Sequence, residues 1–336
     1  MNKIINMRFT NIQQPLTICL AKMRSIEKRS SSMSQRKSEL VLISIAMAWG
    51  LSWLFMKMGI ERLSPLDIVF LRFSVAFIAV AVVFRRRLRG ISRSTALCAC
   101  ASGAVLFGVC TSVLYGLGTT MASTGGFIIS VQVVFVAVFQ AVLVRKLPRL
   151  GIVIAAALCI SGVCFLTDAN PLDFDAGSLW ILLAASLNAV YIVFVGSVSH
   201  RVDSFQLGAL QLGVAALLAG AGTVCFETIV LPATPQQWIA VLGLGLLCSA
   251  YCFVMQPVAQ QNSTPERAGI IWSSEALFSA VFAFVLLGER FAPLNYLGAA
   301  LMMSGVAIAL TDWDRVRMRL RAPTACSAVD GAEASR

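Results

Sequence analysis

Apolar runs of about twenty residues alternate along this chain with short polar connections. Ten such runs stand out, at 41–60, 66–84, 95–114, 124–144, 150–167, 178–198, 205–225, 238–257, 268–287 and 294–311. A helix needs about 20 mainly apolar residues to cross a bilayer core, so each run predicts one transmembrane helix. The short connections favour one helical bundle over a string of separate domains. The pattern therefore predicts an all-α integral membrane protein with ten transmembrane helices.

The pattern also repeats. A shift of 143 residues lays "GFIISVQVVFVAVFQAVLVRKLPRLGIVIAAALCISGV" (126–163) over "GIIWSSEALFSAVFAFVLLGERFAPLNYLGAALMMSGV" (269–306), with 15 of 38 positions identical. Ser130/Ser273, Phe135/Phe278 and the two "SGV" endings are among the matches. Two five-helix repeats are predicted, 41–167 and 178–311. An odd number of spans reverses the second repeat, so the two are inverted about a pseudo-twofold axis in the membrane plane. Carriers of this construction hold their solute near mid-membrane, between the halves.

Composition agrees with this picture, since 58% of the 336 residues are hydrophobic and only 13% charged, whereas soluble domains carry about a quarter charged residues. The net charge of +11 reads as a topology signal rather than a nucleic-acid surface. With a cytoplasmic N-terminus, the inner segments hold 23 of the 27 Lys and Arg residues, and the outer loops hold only Arg62 and Arg290. The positive-inside rule then sets both termini in the cytoplasm. Residues 1–40 read as a basic, disordered leader whose only apolar stretch, "PLTICLA", is too short for a signal-peptide core. Met33 is an alternative start. Residues 312–336 read as a basic juxtamembrane strip, "RVRMRLR" at 315–321, followed by a disordered tail. The strip fits anionic lipid or serves only as a topology anchor. The ten cysteines, with His200 the only histidine, read as small buried hydrophobes rather than metal ligands. Trp180, Trp238 and Trp313 fall at helix ends, as interfacial anchors do.

At this point a resemblance becomes specific. "AMAWGLSWLFMKMGI", "LDIVFLRFSVAFIAVA", the two "SGV" runs and "SSEALFSAVFAFVLLGER" together resemble the drug/metabolite transporter superfamily, in particular its EamA-type ten-helix permeases, over roughly 40–311. The resemblance implies a transporter and favours export. It also implies a proline after the span-nine glutamate, where this chain has Ala276, and Val133 stands at the matching place in the first repeat. No proline kink or hinge is therefore carried over to either position. The first half has Gln132 opposite Glu275, and Arg145-Lys146 opposite Gly288-Glu289.

Glu275 is the outstanding candidate. It lies about seven residues, or ~10 Å, into its span, where an ionised acid costs at least ~2.5 kcal/mol. It must meet a wet cavity, a cation or a proton. It serves either as a substrate-amine contact or proton-coupling switch, or as a structural partner of Arg72 or Lys57. Trp272 and Ser279, at i−3 and i+4, share its face. Arg72 binds a substrate carboxylate or ties helices together, and Gln211 is its counterpart. Trp49, Trp53 and Lys57 recur every four residues, a stripe that suits a cavity wall for amphipathic solutes or plain packing. Asn188 and Tyr191 in the sixth span occupy the positions equivalent to Trp49 and Ser52. Gln132 and Gln140 line the cavity or glue helices. Ala157/Ser161 and Ala300/Ser304 put small residues one turn apart, which allows close packing within the bundle or a homodimer.

The expected function is secondary-active transport of small metabolites, amino acids or drug-like solutes across the inner (plasma) membrane by alternating access. Its partners are a small-molecule solute and the lipid bilayer, without nucleic acid and with no cofactor or metal. No Walker A stretch is present, so ATP does not drive it through this chain. A non-transport receptor or assembly factor is the alternative. An intramembrane enzyme is the least supported, because no nucleophile–base pair or ligand cluster lies within the spans.

Overall fold

The computed structural model describes residues 34–60, 63–120, 122–167, 176–228, 230–287 and 293–311. Among them there are helices and connecting turns, without a strand. In chain order the helices are α1 (Gln35–Ile60), α2 (Pro65–Val83), α3 (Arg93–Leu117), α4 (Ala122–Ser130), α5 (Gln132–Val144), α6 (Leu150–Thr167), α7 (Ala176–Val198), α8 (Ser204–Phe226), α9 (Pro235–Leu242), a π-helical stretch (Gly243–Tyr251), α10 (Cys252–Gln260), α11 (Pro265–Ser273), α12 (Glu275–Leu287) and α13 (Pro293–Leu310). All ten apolar runs are covered. The fourth, eighth and ninth spans are composite: α4–α5, α9 through α10, and α11–α12. Six rods are long and apolar enough to cross a membrane, and three shorter apolar helices accompany them.

Local sequence explains the starts. Ser64, Thr234 and Thr264 each accept a hydrogen bond from the backbone N–H three residues on, and each is followed by proline at the first helical position. That hydroxyl–proline pair caps orphan donors and presets φ for the helix. α1 begins at Gln35, so the last six residues of the predicted leader are helical, with the Ser34 hydroxyl receiving the Lys37 N–H. Residues 1–33, Arg62, Arg290 and the strip and tail at 312–336 lie outside the described residues.

The packing obeys a pseudo-twofold. The third span packs on the sixth as the eighth packs on the first, the fourth on the sixth as the ninth on the first, and the third on the seventh as the eighth on the second. The second meets the seventh and the fifth meets the tenth, each pair with its own counterpart. Single atoms follow the same rule. A Cβ on Gly162 of α6 would lie 2.7 Å from the Gly298 carbonyl of α13. A Cβ on Gly305 of α13 would lie 2.7 Å from the Ala155 carbonyl of α6. Both residue pairs are related by the 143-residue shift, so the contact is isologous. Likewise Gly103 abuts the Gln211 carbonyl and Val214, and Gly245 abuts Val75 and the Arg72 carbonyl. Lipid tails offer no hydrophobic drive to helix pairing, and such close approach supplies the dispersion contacts instead.

Two expectations are corrected here. Ala157, Ser161, Ala300 and Ser304 are exposed, so of the two readings given for them the close packing within the bundle is not met. The seam runs on the neighbouring face, through Ala155, Cys159 and Gly162. Of the cysteines, Cys110, Cys159, Cys248 and Cys252 are buried, whereas Cys100 and Cys225 are exposed. In a membrane span an exposed thiol faces an environment as apolar as the core.

The fourth and ninth spans break at equivalent residues, Val131 and Ser274, although neither carries the proline. At each break the backbone tightens to an i→i−3 bond of 3.1 Å, Val131 N–H to Ile128 and Ser274 N–H to Ile271. Serine hydroxyls turned back on the backbone lie at both breaks. Ser130 donates back to Gly126, Ser273 to Ile270 and Ser274 to Ile271, which competes with the helical ladder and bends it. One further special position is Arg145 after α5, left-handed at φ 54°, a conformation costing a non-glycine residue about 1–2 kcal/mol.

Candidate functional site

Glu275 is the first residue of α12, immediately after the break at Ser274, and its side chain is partly accessible within the bundle. Its Oε1 accepts a hydrogen bond of 2.5 Å from the indole N–H of Trp53 on α1. Gly50 makes that approach possible, because a Cβ there would lie 2.7 Å from Phe278 Cβ and 2.9 Å from the Glu275 carbonyl. Trp272, just before the break, stacks at a tilt on Trp49 with ring centroids 5.4 Å apart, and Trp49 meets Phe253 at the same distance. The break therefore leaves both Trp272 and Glu275 against α1, in line with Trp49 and Trp53. Lys57 continues this stripe in α1, with its side chain outside the described residues.

The opposite half answers with a neutral clasp. Asn188 on α7 donates its amide to Gln132, and Gln132 is the first residue after the equivalent break. Acid and amide thus occupy matching half-helix N-termini, where the backbone dipole favours negative charge. The acid exists on one side of the pseudo-twofold only.

Arg72 is buried on α2. Its Nε donates to Ser249 Oγ at 3.0 Å, and its guanidinium carbon stands 5.3 Å from the Phe73 ring centre. No ion pair within 4.0 Å joins it to Glu275. Among the described residues the ion pair is Arg267–Glu39, at 3.6 Å. Tyr191, fully buried, donates to Gln211 Oε1 at 3.1 Å, and Gln211 Nε2 donates to the Phe253 carbonyl at 2.9 Å. Pro257, four residues on, has no N–H to offer that carbonyl, so Gln211 replaces the missing helical bond. The π-helical stretch just before it exposes another carbonyl, that of Cys248, which receives the Trp49 indole N–H at 3.2 Å. π-turns of this kind recur at functional positions.

The structure thus gathers Trp49, Trp53, Arg72, Gln132, Asn188, Tyr191, Trp272 and Glu275 around the junction of the two halves, in several separate hydrogen-bonded groups rather than one network. Gln140 stands apart near the end of α5, lining a cavity of about 410 Å³ with Lys146, Arg149 and Arg267. Sequence reasoning missed Gly50, Ser249, Phe253 and Gln256. The last is fully buried with neither end of its amide partnered, as is the Trp272 indole N–H. The signal available for Phe253 and Gln256 was Pro257 inside an apolar run, with the Gly-rich "GLGLL" before it.

Residues 36–168 and 175–311 each match the model of the EamA-like transporter family. The chain belongs to that family. It is a multi-pass membrane transporter, and the two matches fall on the two five-helix halves. An uncharacterized transporter of Archaeoglobus fulgidus is 28% identical over 290 residues, covering 80% of this chain and 96% of its own length. The uncharacterized transporter YcxC of Bacillus subtilis is 26% identical, over 76% of this chain and 87% of its own. A probable terminal-alkyne amino-acid exporter of Streptantibioticus cattleyicolor is 27% identical over 296 residues, covering 82% and 94%. A solved crystal structure aligns at a TM-score of 0.71 with 18% identity, over 86% of this chain and all of that one, a likeness of fold.

Proposed function

We propose that this EamA-family protein is a secondary-active carrier that exports a small amphipathic solute across the inner (plasma) membrane by alternating access. Both termini lie in the cytoplasm in this reading, as the 23 basic residues on one side of the ten spans require. The observation that carries the proposal is Glu275: a half-buried acid at a half-helix N-terminus, between two inverted halves, with Trp53 its hydrogen-bond partner among the described residues. Discontinuous helices that meet at mid-membrane are where such carriers hold solutes and coupling ions. Glu275 is the proton-coupling candidate, Trp49, Trp53 and Trp272 form the aromatic wall, and Arg72, Gln132, Asn188 and Tyr191 supply polar contacts. Amino acids and amines suit an acid flanked by indoles and a buried arginine. The relative named as an amino-acid exporter favours the first of these classes.

Purified protein in liposomes tests the reading. A carrier gives saturable counterflow for at least one of a panel of radiolabelled L-amino acids and lipophilic amines. Absence of counterflow across the whole panel, in protein that is folded and inserted, would argue against it.

A further inference from the structure

A second site lies at the end of the bundle, away from Glu275. The cavity of about 410 Å³ opens where α5, α6, α11 and α13 meet. Its lining carries Lys146, Arg149 and Arg267 against one carboxylate, Glu266, over an apolar floor that includes Val144 and Ile308. Arg267 is partly engaged, with Glu39 at 3.6 Å and the Thr311 carbonyl at 3.2 Å. Lys146 and Arg149 are exposed in the connection that leads into α6. There the first backbone N–H groups of an 18-residue helix add their own preference for an anion.

Two observations narrow the occupant. The first is that the cations do not stand alone. Leu147 between them is 92% exposed and Leu150 just beyond is 74% exposed, so anionic recognition sits directly on surface that suits acyl chains. A water-soluble anion has no use for those leucines. The second is that the two repeats differ in charge at this point. Arg145 occupies the left-handed position after α5, where the 143-residue shift gives Gly288, the residue such a cap ordinarily takes. Lys146 likewise stands opposite Glu289. The two repeats therefore differ here by a glycine against a left-handed arginine and by an acid against a base, and the basic member lies on the side that the proposed orientation turns to the cytoplasmic leaflet, where anionic lipids concentrate.

We propose that this cavity binds the headgroup of an anionic phospholipid of the cytoplasmic leaflet. Its phosphate lies among Lys146, Arg149 and the start of α6, and its chains run along Leu147 and Leu150. Glu266 favours a headgroup that also carries hydroxyl donors, as phosphatidylglycerol does.

Full-length protein in detergent, titrated with phosphatidylglycerol, phosphatidylcholine or inorganic phosphate, tests this without any transport assay. The readouts are retained lipid by native mass spectrometry and the thermal midpoint. Wild type should retain phosphatidylglycerol over phosphatidylcholine, with the preference falling about fivefold for each basic charge removed. K146Q/R149Q should lose it, and R85Q/R86Q, in the other basic loop, should keep it. The single variants Lys146→Gln and Arg149→Gln should each weaken retention about fivefold, which keeps the test alive if the double variant fails to fold. Equal losses in K146Q/R149Q and R85Q/R86Q, or unchanged retention in both single variants, would overturn the proposal. Inorganic phosphate stabilising the protein as strongly as phosphatidylglycerol would overturn it too, by assigning the cavity to a soluble anion.

Discussion

The indole N–H of Trp53 reaches the carboxylate of Glu275 at 2.5 Å across the contact of α1 with α12. This joins the first span of one half to the ninth span, at the point where that span is broken. A hydrogen bond to a charged group contributes about 1.5–3 kcal/mol. Trp53→Phe keeps a ring and removes the donor, so it should lower the thermal midpoint in detergent while the protein still folds. The Trp53→Phe/Glu275→Leu pair, in which each single change removes the bond, should be non-additive. Additive losses in that double-mutant cycle would mean that the two side chains act independently.

Gly50 lets α1 and α12 close. A Cβ there would meet Phe278 Cβ at 2.7 Å and the Ser279 nitrogen at 2.8 Å, two contacts that cannot both give way cheaply. Gly50→Ala should cost about 1–3 kcal/mol, as overpacking does, and Gly50→Val more. Gly126→Ala is the matched control, because nothing lies within 4 Å of its added methyl; thermal melts of the purified variants check both.

The pseudo-twofold makes a prediction about equality. Gly162 and Gly305 bury the same kind of contact from opposite sides of one seam. Gly162→Leu and Gly305→Leu should therefore destabilise to a similar degree. A large effect at one and none at the other would contradict the symmetry, and comparative melts decide it.

Gln211 holds two groups at once, the Tyr191 hydroxyl and the Phe253 carbonyl that Pro257 leaves without a helical donor. Each orphaned buried group costs about 1–3 kcal/mol. Gln211→Leu should lower the midpoint more than Tyr191→Phe, which removes one end of a single bond.

Much of the fold was legible because the bilayer sets the length of an apolar run, and the ten runs match helices within a few residues. The repeat was legible through its matched serines. The two helix breaks were not, since no proline marks them and the serines that bond back to the backbone there do the same inside unbroken helices. The seam between α6 and α13 was not legible in the sequence. Ala157/Ser161 and the true contact at Gly162 lie side by side in sequence, and small-residue spacing alone does not choose between adjacent faces. At the site, Glu275 stood out by its cost in an apolar run. Its partner did not. Charge complementarity pointed to Arg72 or Lys57, whereas the close approach at Gly50 delivers a tryptophan, and Arg72 turns to Ser249 instead.

Counterflow by Glu275→Gln protein in liposomes, beside wild type at matched insertion, tests the account most directly. The variant keeps the shape of the side chain and its place against Trp53, so it should fold and melt near wild type. Its solute exchange should fall at least about tenfold, or lose its dependence on an imposed pH gradient, as expected for an intramembrane acid that binds solute or proton. Wild-type exchange with an unchanged gradient response would contradict a transport role for Glu275 and leave it a structural tie between α1 and α12.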